Sequence, residues 1–361
     1  MAVIENDLKY IWDSLSQNEL DRLRGSKILI TGCAGFLGFY FMKFLSRYAA
    51  ELNIKKVIAL DNFMLGRPQW VKSIDSPAMH VQEFDIIKGD IKGLSGLEDI
   101  DFIIHMASIA SPSFYRKYPL ETLEANIWGL RRLLDLYSSK KIKGFLFFSS
   151  SEIYGDPTPE AIPTNEEYRG FVSCTGPRAC YDESKRFGET ICAIFAQKYN
   201  MPIGVARPFN NYGPGMRLGD RRVPADFAKA VVYNNDIVVL SSGQPTRTFC
   251  YIADAITGYF KVLIHGRYDY FNIGMDTPEI SVMRLAEIYR EAGAEIFGHG
   301  VKIAQGFSDD GDYLTHNPER RCPDLSKAKK ILGYNPTIGV EEGVRRFLLF
   351  IQESDEGDYL W

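Results

Sequence analysis

The chain has 361 residues, 45% hydrophobic and 24% charged, with a net charge of −4. That balance supports a buried core and excludes a disordered or low-complexity chain. It also gives no bulk attraction to nucleic acid, so an anionic ligand must be gripped by local basic groups.

No apolar run reaches membrane-spanning length. The first fifteen residues carry Glu5, Asp7 and Asp13 against Lys9, unlike a secretory leader. Six cysteines stand at 33, 174, 180, 192, 250 and 322 without any Cys-x-x-Cys pair, and the five histidines are scattered. Neither a metal centre nor a disulfide framework is expected, and reduced thiols point to the cytoplasm.

Residues 7–24 read as an amphipathic helix broken near Ser16, with Leu8, Ile11, Trp12 and Leu15 on one stripe. They form an N-terminal appendage, 1–25. From Lys27 short apolar runs alternate with helical stretches. Strands are predicted at 28–31, 56–61, 80–85, 102–106, 144–149 and 203–208, and helices at 36–52, 119–138 and 181–199. This alternation predicts an α/β fold, a doubly wound parallel sheet of Rossmann type, over 26–208. After 208 the composition shifts, with 210–220 rich in Gly, Asn and Pro. The segment 209–361 reads as a smaller, mainly substrate-binding region with pieces returning to the main domain.

The first strand runs into Gly32-Cys33-Ala34-Gly35-Phe36-Leu37-Gly38, which opens a helix. Glycines there permit a tight turn and close approach of a pyrophosphate to the helix N-terminus, where free N–H groups wait. Asp61 closes the second strand 23 residues beyond Gly38. A carboxylate there accepts hydrogen bonds from the adenosine ribose and repels a 2′-phosphate, which favours NAD over NADP. Asp90, followed by Ile91, is the candidate contact to the adenine amino group.

Tyr181 and Lys185 are spaced i, i+4 and share one helix face. A lysine cation beside the phenol favours its ionised form, which can take a proton from a sugar hydroxyl while hydride leaves the same carbon. Ser150 ends the preceding strand, where residues face the cofactor crevice, and completes a Ser–Tyr–Lys set.

Together these motifs resemble the extended short-chain dehydrogenase/reductase superfamily, and within it the UDP-glucuronate decarboxylases. The resemblance spans about 26–350 and rests on Asp61-Asn62-Phe63 with Gly66-Arg67, Ala107-Ser108 through Ser111-Pro112, Ser151-Glu152-Ile153-Tyr154-Gly155-Asp156-Pro157, Gly176 to Glu183, Phe209 to Pro214, Thr246-Arg247-Thr248-Phe249 and Arg320 to Asp324. It implies that Asn62, Phe63, Arg67, Ala107 and Ser108 join the cofactor site. It implies too that Arg178, Asn210, Arg222 and Arg247 hold a UDP-sugar, and that the protein is a homodimer built on helices 119–138 and 181–199.

Sugar 4,6-dehydratases of the superfamily carry Asp-Glu after the strand serine or threonine, whereas this chain has Ser151-Glu152. A serine is a poor acid for expelling a hydroxyl, so water elimination loses a part. Decarboxylation needs no such acid, because a 4-keto group lies β to the C6 carboxylate. The resemblance assigns Arg321 to that carboxylate, a role for positioning and charge because its pKa is too high for proton donation. Glu152 is expected to hold a water or assist protonation. A 4-epimerase or 4-oxidase uses the same first step, and a non-catalytic nucleotide-sugar-binding protein would share the pocket. The motifs are compatible with each of these readings.

Overall fold

The computed structural model describes residues 2–74 and 76–360. Met1 and Trp361, the ends of the two outer segments expected above, lie outside them, as does Asp75.

Among the described residues, seven parallel strands make the main sheet: β1 (Lys27–Thr31), β2 (Lys56–Asp61), β3 (Met79–Glu83), β4 (Phe102–His105), β5 (Gly144–Phe148), β6 (Ile203–Pro208) and β7 (Asp269–Ile273). Across the sheet they run β7-β6-β5-β4-β1-β2-β3. The winding therefore reverses between β1 and β4, and ligands of such sheets bind outside the strand carboxyl ends at that point. Alternate side chains enter two separate cores. Ile28, Ile30, Leu146 and Phe148 pack on one face, Leu29, Phe145 and Phe147 on the other. Both faces are covered, which is why these strands are almost wholly apolar.

β3 begins and ends slightly earlier than the apolar pattern predicts. Asp85 explains the ending, since its carboxylate accepts the amides of Ile87 (2.8 Å) and Lys88 (3.2 Å) and turns the chain. β7 is the unanticipated member. It pairs in parallel with β6, Asp269 opposite Gly204 through Ile273 opposite Pro208.

The N-terminal segment is two helices, Ala2–Asp13 and Gln17–Leu23. Ser16 and Glu19 cap the second reciprocally, each side chain taking the other's backbone N–H. Asp7 is fully buried and accepts from Tyr40 and Tyr251 (2.6 Å each) and from Arg346 (2.8 Å). With Leu8 and Ile11 in the main core, these helices are integral to the fold.

The chain is helical over 119–137, with a π-turn at Ala125–Gly129. π-turns frequently mark functional sites. Here Ala125 borders a cleft at the carboxyl ends of the strands, and Asn126 donates to Ser184 (2.8 Å) on the helix Ala179–Tyr199. Farther along, Thr246–Arg247 pairs with Ile280–Ser281 on one side and Arg320–Arg321 on the other. That register sets Arg321 directly beside Arg247.

Candidate active site

A cleft of about 820 Å³ opens at the carboxyl ends of β1, β2 and β4, lined by Gly32, Gly35, Asp61, Asn62, Ala107 and Ser108. Gly32 has φ +75°, and a Cβ there would sit 2.6 Å from the Ala107 nitrogen. At Gly38 a Cβ would collide with the Cys33 carbonyl. Gly35 instead has open space around it, with nothing nearer than the Gly32 oxygen at 3.4 Å, and it begins the helix Phe36–Arg47. The first and third glycines thus fold the loop, and the second leaves room for a ligand at the helix N-terminus. Asp61 lines the cleft while accepting the amides of Ala34 (2.9 Å) and Phe63 (2.8 Å), and burial raises its pKa against those hydrogen bonds.

Phe63, Arg67, Asp90 and Ile91, expected at the cofactor, line neither this cleft nor the one beside it. The turn at Asp85 brings Phe84, Ile86 and Ile87, rather than Asp90 and Ile91, to this cleft. Asp90 accepts the Lys92 amide (3.1 Å) on a separate depression beside Arg132, and Ile91 is buried in the second core. The strand end at Asp85 is the local signal for the residues that do line the cleft. Similarly, Arg67 lies 4.5 Å over the Phe63 ring and borders a neighbouring depression, while Met64, Leu65 and Gly66 of the same loop line the cleft.

A second cleft of about 1050 Å³ shares Gly32, Gly35 and Ser108 with the first, and Phe36, Leu37 and Gly38 also line it. It gathers Ser150, Ser151, Glu152, Tyr181 and Lys185. Ser150 accepts the Glu152 amide (3.2 Å) and hydrogen-bonds the Tyr181 phenol. Lys185 donates to the Phe148 carbonyl (2.8 Å), with its nitrogen 5.6 Å from the Tyr181 ring centre.

Burial pushes the Tyr181 phenol up to about 12; the Ser150 hydrogen bond pulls it down, Glu152 and Asp182 push it up, and Arg222 lowers it. Lys185 is itself brought down to about 7 by burial. Lys185 keeps further donors beyond the one on the Phe148 carbonyl, and Ser150 and Arg222 are the groups that lower the phenol here.

Glu152 receives Arg178 and Arg321, the latter at 3.1 Å, and Arg321 also donates to the Gly155 carbonyl at 3.2 Å. Gly155 has φ +60°, and any side chain there would run into the Phe171 carbonyl. Next to it Tyr154 donates to Asn272 (2.7 Å) and accepts from Arg207 (2.8 Å), pinning the turn that carries Glu152. Burial disfavours the Glu152 charge, but Arg178, Arg321 and Arg247 outweigh it and hold the carboxyl below its usual range. Asp182 sits 3.4 Å from the Arg178 Nε, and burial with the Glu152 charge pushes it up to about 7.

A third cleft, about 1260 Å³, continues outward past Arg178, Asn210, Arg222, Arg247 and Arg321. Asn210 donates to the Thr248 carbonyl (2.9 Å), Arg222 pairs with Asp220, and Arg247 is anchored by the carbonyls of Thr246 (2.8 Å), Glu319 (3.0 Å) and Pro318. Tyr115, Asp182, Arg221 and Tyr313 escaped the sequence reading, since no spacing rule links them to the motifs.

The NAD dependent epimerase/dehydratase family model matches residues 28–274. UDP-glucuronic acid decarboxylase 1 of Xenopus tropicalis is 34% identical over 340 residues, covering 94% of this chain and 74% of that protein. UDP-glucuronic acid decarboxylase 6 of Arabidopsis thaliana is 34% identical over 320 residues, covering 88% and 86%. Among solved structures, the fold is similar to UDP-glucose 4-epimerase of Thermotoga maritima, with TM-score 0.78, 24% identity and coverage of 91% of this chain and 99% of that one. It is also similar to UDP-glucuronic acid 4-epimerase of Bacillus cereus, with TM-score 0.75, 24% identity and coverage of 91% and 99%.

The chain belongs to the NAD dependent epimerase/dehydratase family. It is an enzyme of that family, with NAD as its cofactor. The residues fit NAD: beside the open space at Gly35, the buried hydroxyls of Ser108 and Ser149 border the two inner clefts with no partner among the described residues. Among the described residues no helix is long and apolar enough to cross a membrane, and no His, Cys, Asp and Glu cluster suits a metal.

Proposed function

We propose that this enzyme oxidises C4 of a UDP-glucuronate-like sugar, releases C6 as carbon dioxide and reduces the resulting ketone. The observation that carries the reading is the pair of guanidiniums, Arg178 and Arg321, converging on Glu152 in the catalytic cleft, with Ser151 beside it in place of an acid.

NAD, when bound, supplies the hydride acceptor for the first step and the donor for the last. Tyr181 removes the O4 proton as the C4 hydride departs, with Ser150 holding the same oxygen. Lys185, fixed by the Phe148 carbonyl, orients the helix face that carries Tyr181. Arg321 and Arg178 take the sugar carboxylate, a match of charge and planar geometry. As the C5–C6 bond breaks, its electrons pass into the C4 ketone, whose oxygen Tyr181 and Ser150 hydrogen-bond. Glu152 stays ionised beside the guanidiniums and holds the water that protonates C5. Arg222, Arg247 and Asn210 receive the diphosphate, and the segment after residue 208 acts chiefly as the substrate-binding region.

Incubation with UDP-glucuronate and mass analysis of the product tests this. The expected product has lost carbon dioxide. A product of unchanged mass points to 4-epimerisation, and one lacking water to dehydration; either overturns the reading.

The assembly we propose is a homodimer. Leu120 and Trp128 on the 119–137 helix, with Phe187 and Ile194 on the helix Ala179–Tyr199, are between 50% and 70% exposed. Such neighbouring apolar faces suit a shared helical bundle. The six cysteines are all unpaired, which supports a cytoplasmic setting.

A further inference from the structure

Of the non-glycine residues with left-handed backbones, four are asparagines, whose short side chains tolerate that geometry. Arg221 is not one of them. Its φ is +68°, a conformation that an arginine adopts only at a cost. The bend lies immediately before the helix Val223–Val232, and Arg221, exposed, lines the third cleft.

The other arginines of that cleft each hold at least one partner within the protein. Arg178 and Arg321 serve Glu152, Arg222 serves Asp220, and Arg247 is held by carbonyls. Arg221 has no hydrogen bond or ion pair among the described residues, and acts only at range on Asp226. The same cleft is lined by Phe227, Val238, Leu240, Tyr313 and Leu314, with Asp226 and Ser241 among its polar residues. An apolar wall suits a nucleobase, and a free guanidinium beside it suits the phosphates that follow.

We infer that Arg221 is a specificity-determining residue that anchors the diphosphate of the substrate in that cleft. The left-handed backbone is retained because it aims this cation. The inference rests on the nucleotide-sugar reading given above and adds a residue to it.

Calorimetric titration of the NAD-loaded enzyme with UDP, UMP and uridine tests it in the wild type, Arg221→Gly and Arg221→Asn. Both replacements accept a left-handed backbone, so both should fold, with Tm equal to or above that of the wild type. UDP should bind roughly tenfold more weakly to each variant, while uridine binds as before. The KM for UDP-glucuronate should rise in step, with the loss falling on KM rather than kcat. The difference should shrink in high salt, since Arg221 is exposed. Unchanged UDP affinity, an equal loss for uridine, or a fall in kcat alone overturns the inference, and a lower Tm in both variants overturns the strain argument. If the wild type itself fails to bind UDP, the nucleotide-sugar reading falls with it, which separates the two failures.

Discussion

The ring of Tyr115 lies parallel to that of Tyr181, centroids 5.1 Å apart and planes 10° from coplanar. The stack holds Tyr181 by its face, so its orientation does not depend on the phenol oxygen. Tyr181→Phe should therefore keep the stack, the fold and bound NAD, and lose turnover by about a thousandfold. Activity assays beside cofactor retention on gel filtration check this. Near-wild-type turnover would remove Tyr181 as the base.

Arg321 meets Glu152 and the proposed sugar carboxylate, but it does not touch Tyr181 or Lys185. Arg321→Gln should spare the first oxidation and slow carbon dioxide release about a hundredfold. Reduced cofactor should then accumulate on mixing with UDP-glucuronate, visible by absorbance. A variant that turns over without such a build-up would place Arg321 outside the second step.

Asp182 gives a pH signature. Its folded carboxyl is pushed up to about 7 from an ordinary 3.8. Between these values the folded protein holds a proton that the unfolded chain has released, so stability falls as pH rises through about 7. Asp182→Asn cannot titrate. From about pH 5 to about pH 8 its Tm should climb by roughly 2–4 °C relative to the wild type. Glu152, held below its usual 4.5, is ionised throughout and does not contribute. A Tm difference that is flat or reversed across this range would show that Asp182 is ordinary.

Gly32→Ala should be severe. Its methyl would press on the Ala107 backbone from a left-handed position. We expect the variant to lose about 2 kcal/mol or more of stability and to fail to retain NAD. Urea denaturation and cofactor content measure both effects.

Much of this was readable from the chain. β2 and β6 begin and end where the apolar runs predict, because a strand buried on both faces has little else to be. The glycine turn and the Tyr181–Lys185 pair are local, set by a few consecutive residues. Other features depend on distant parts meeting. β7 was missed because Asp269-Tyr270-Phe271-Asn272-Ile273 mixes polar and apolar residues, and only its pairing with β6 makes it a strand. Asp90 lies off the first cleft because the Asp85 carboxylate turns the backbone before it. The hydrogen bond that occupies Lys185 comes from a strand 37 residues away and leaves no mark on the helix spacing.

Asp7 sits on the first helix, yet its partners are Tyr40, Tyr251 and Arg346, the last of them on the helix Val340–Glu353. Tyr40 belongs to the helix Phe36–Arg47, which opens at the glycine loop. A single buried carboxylate therefore ties the first helix and the helix Val340–Glu353 to the element that starts at the first cleft, and a change at Asp7 should loosen all three together.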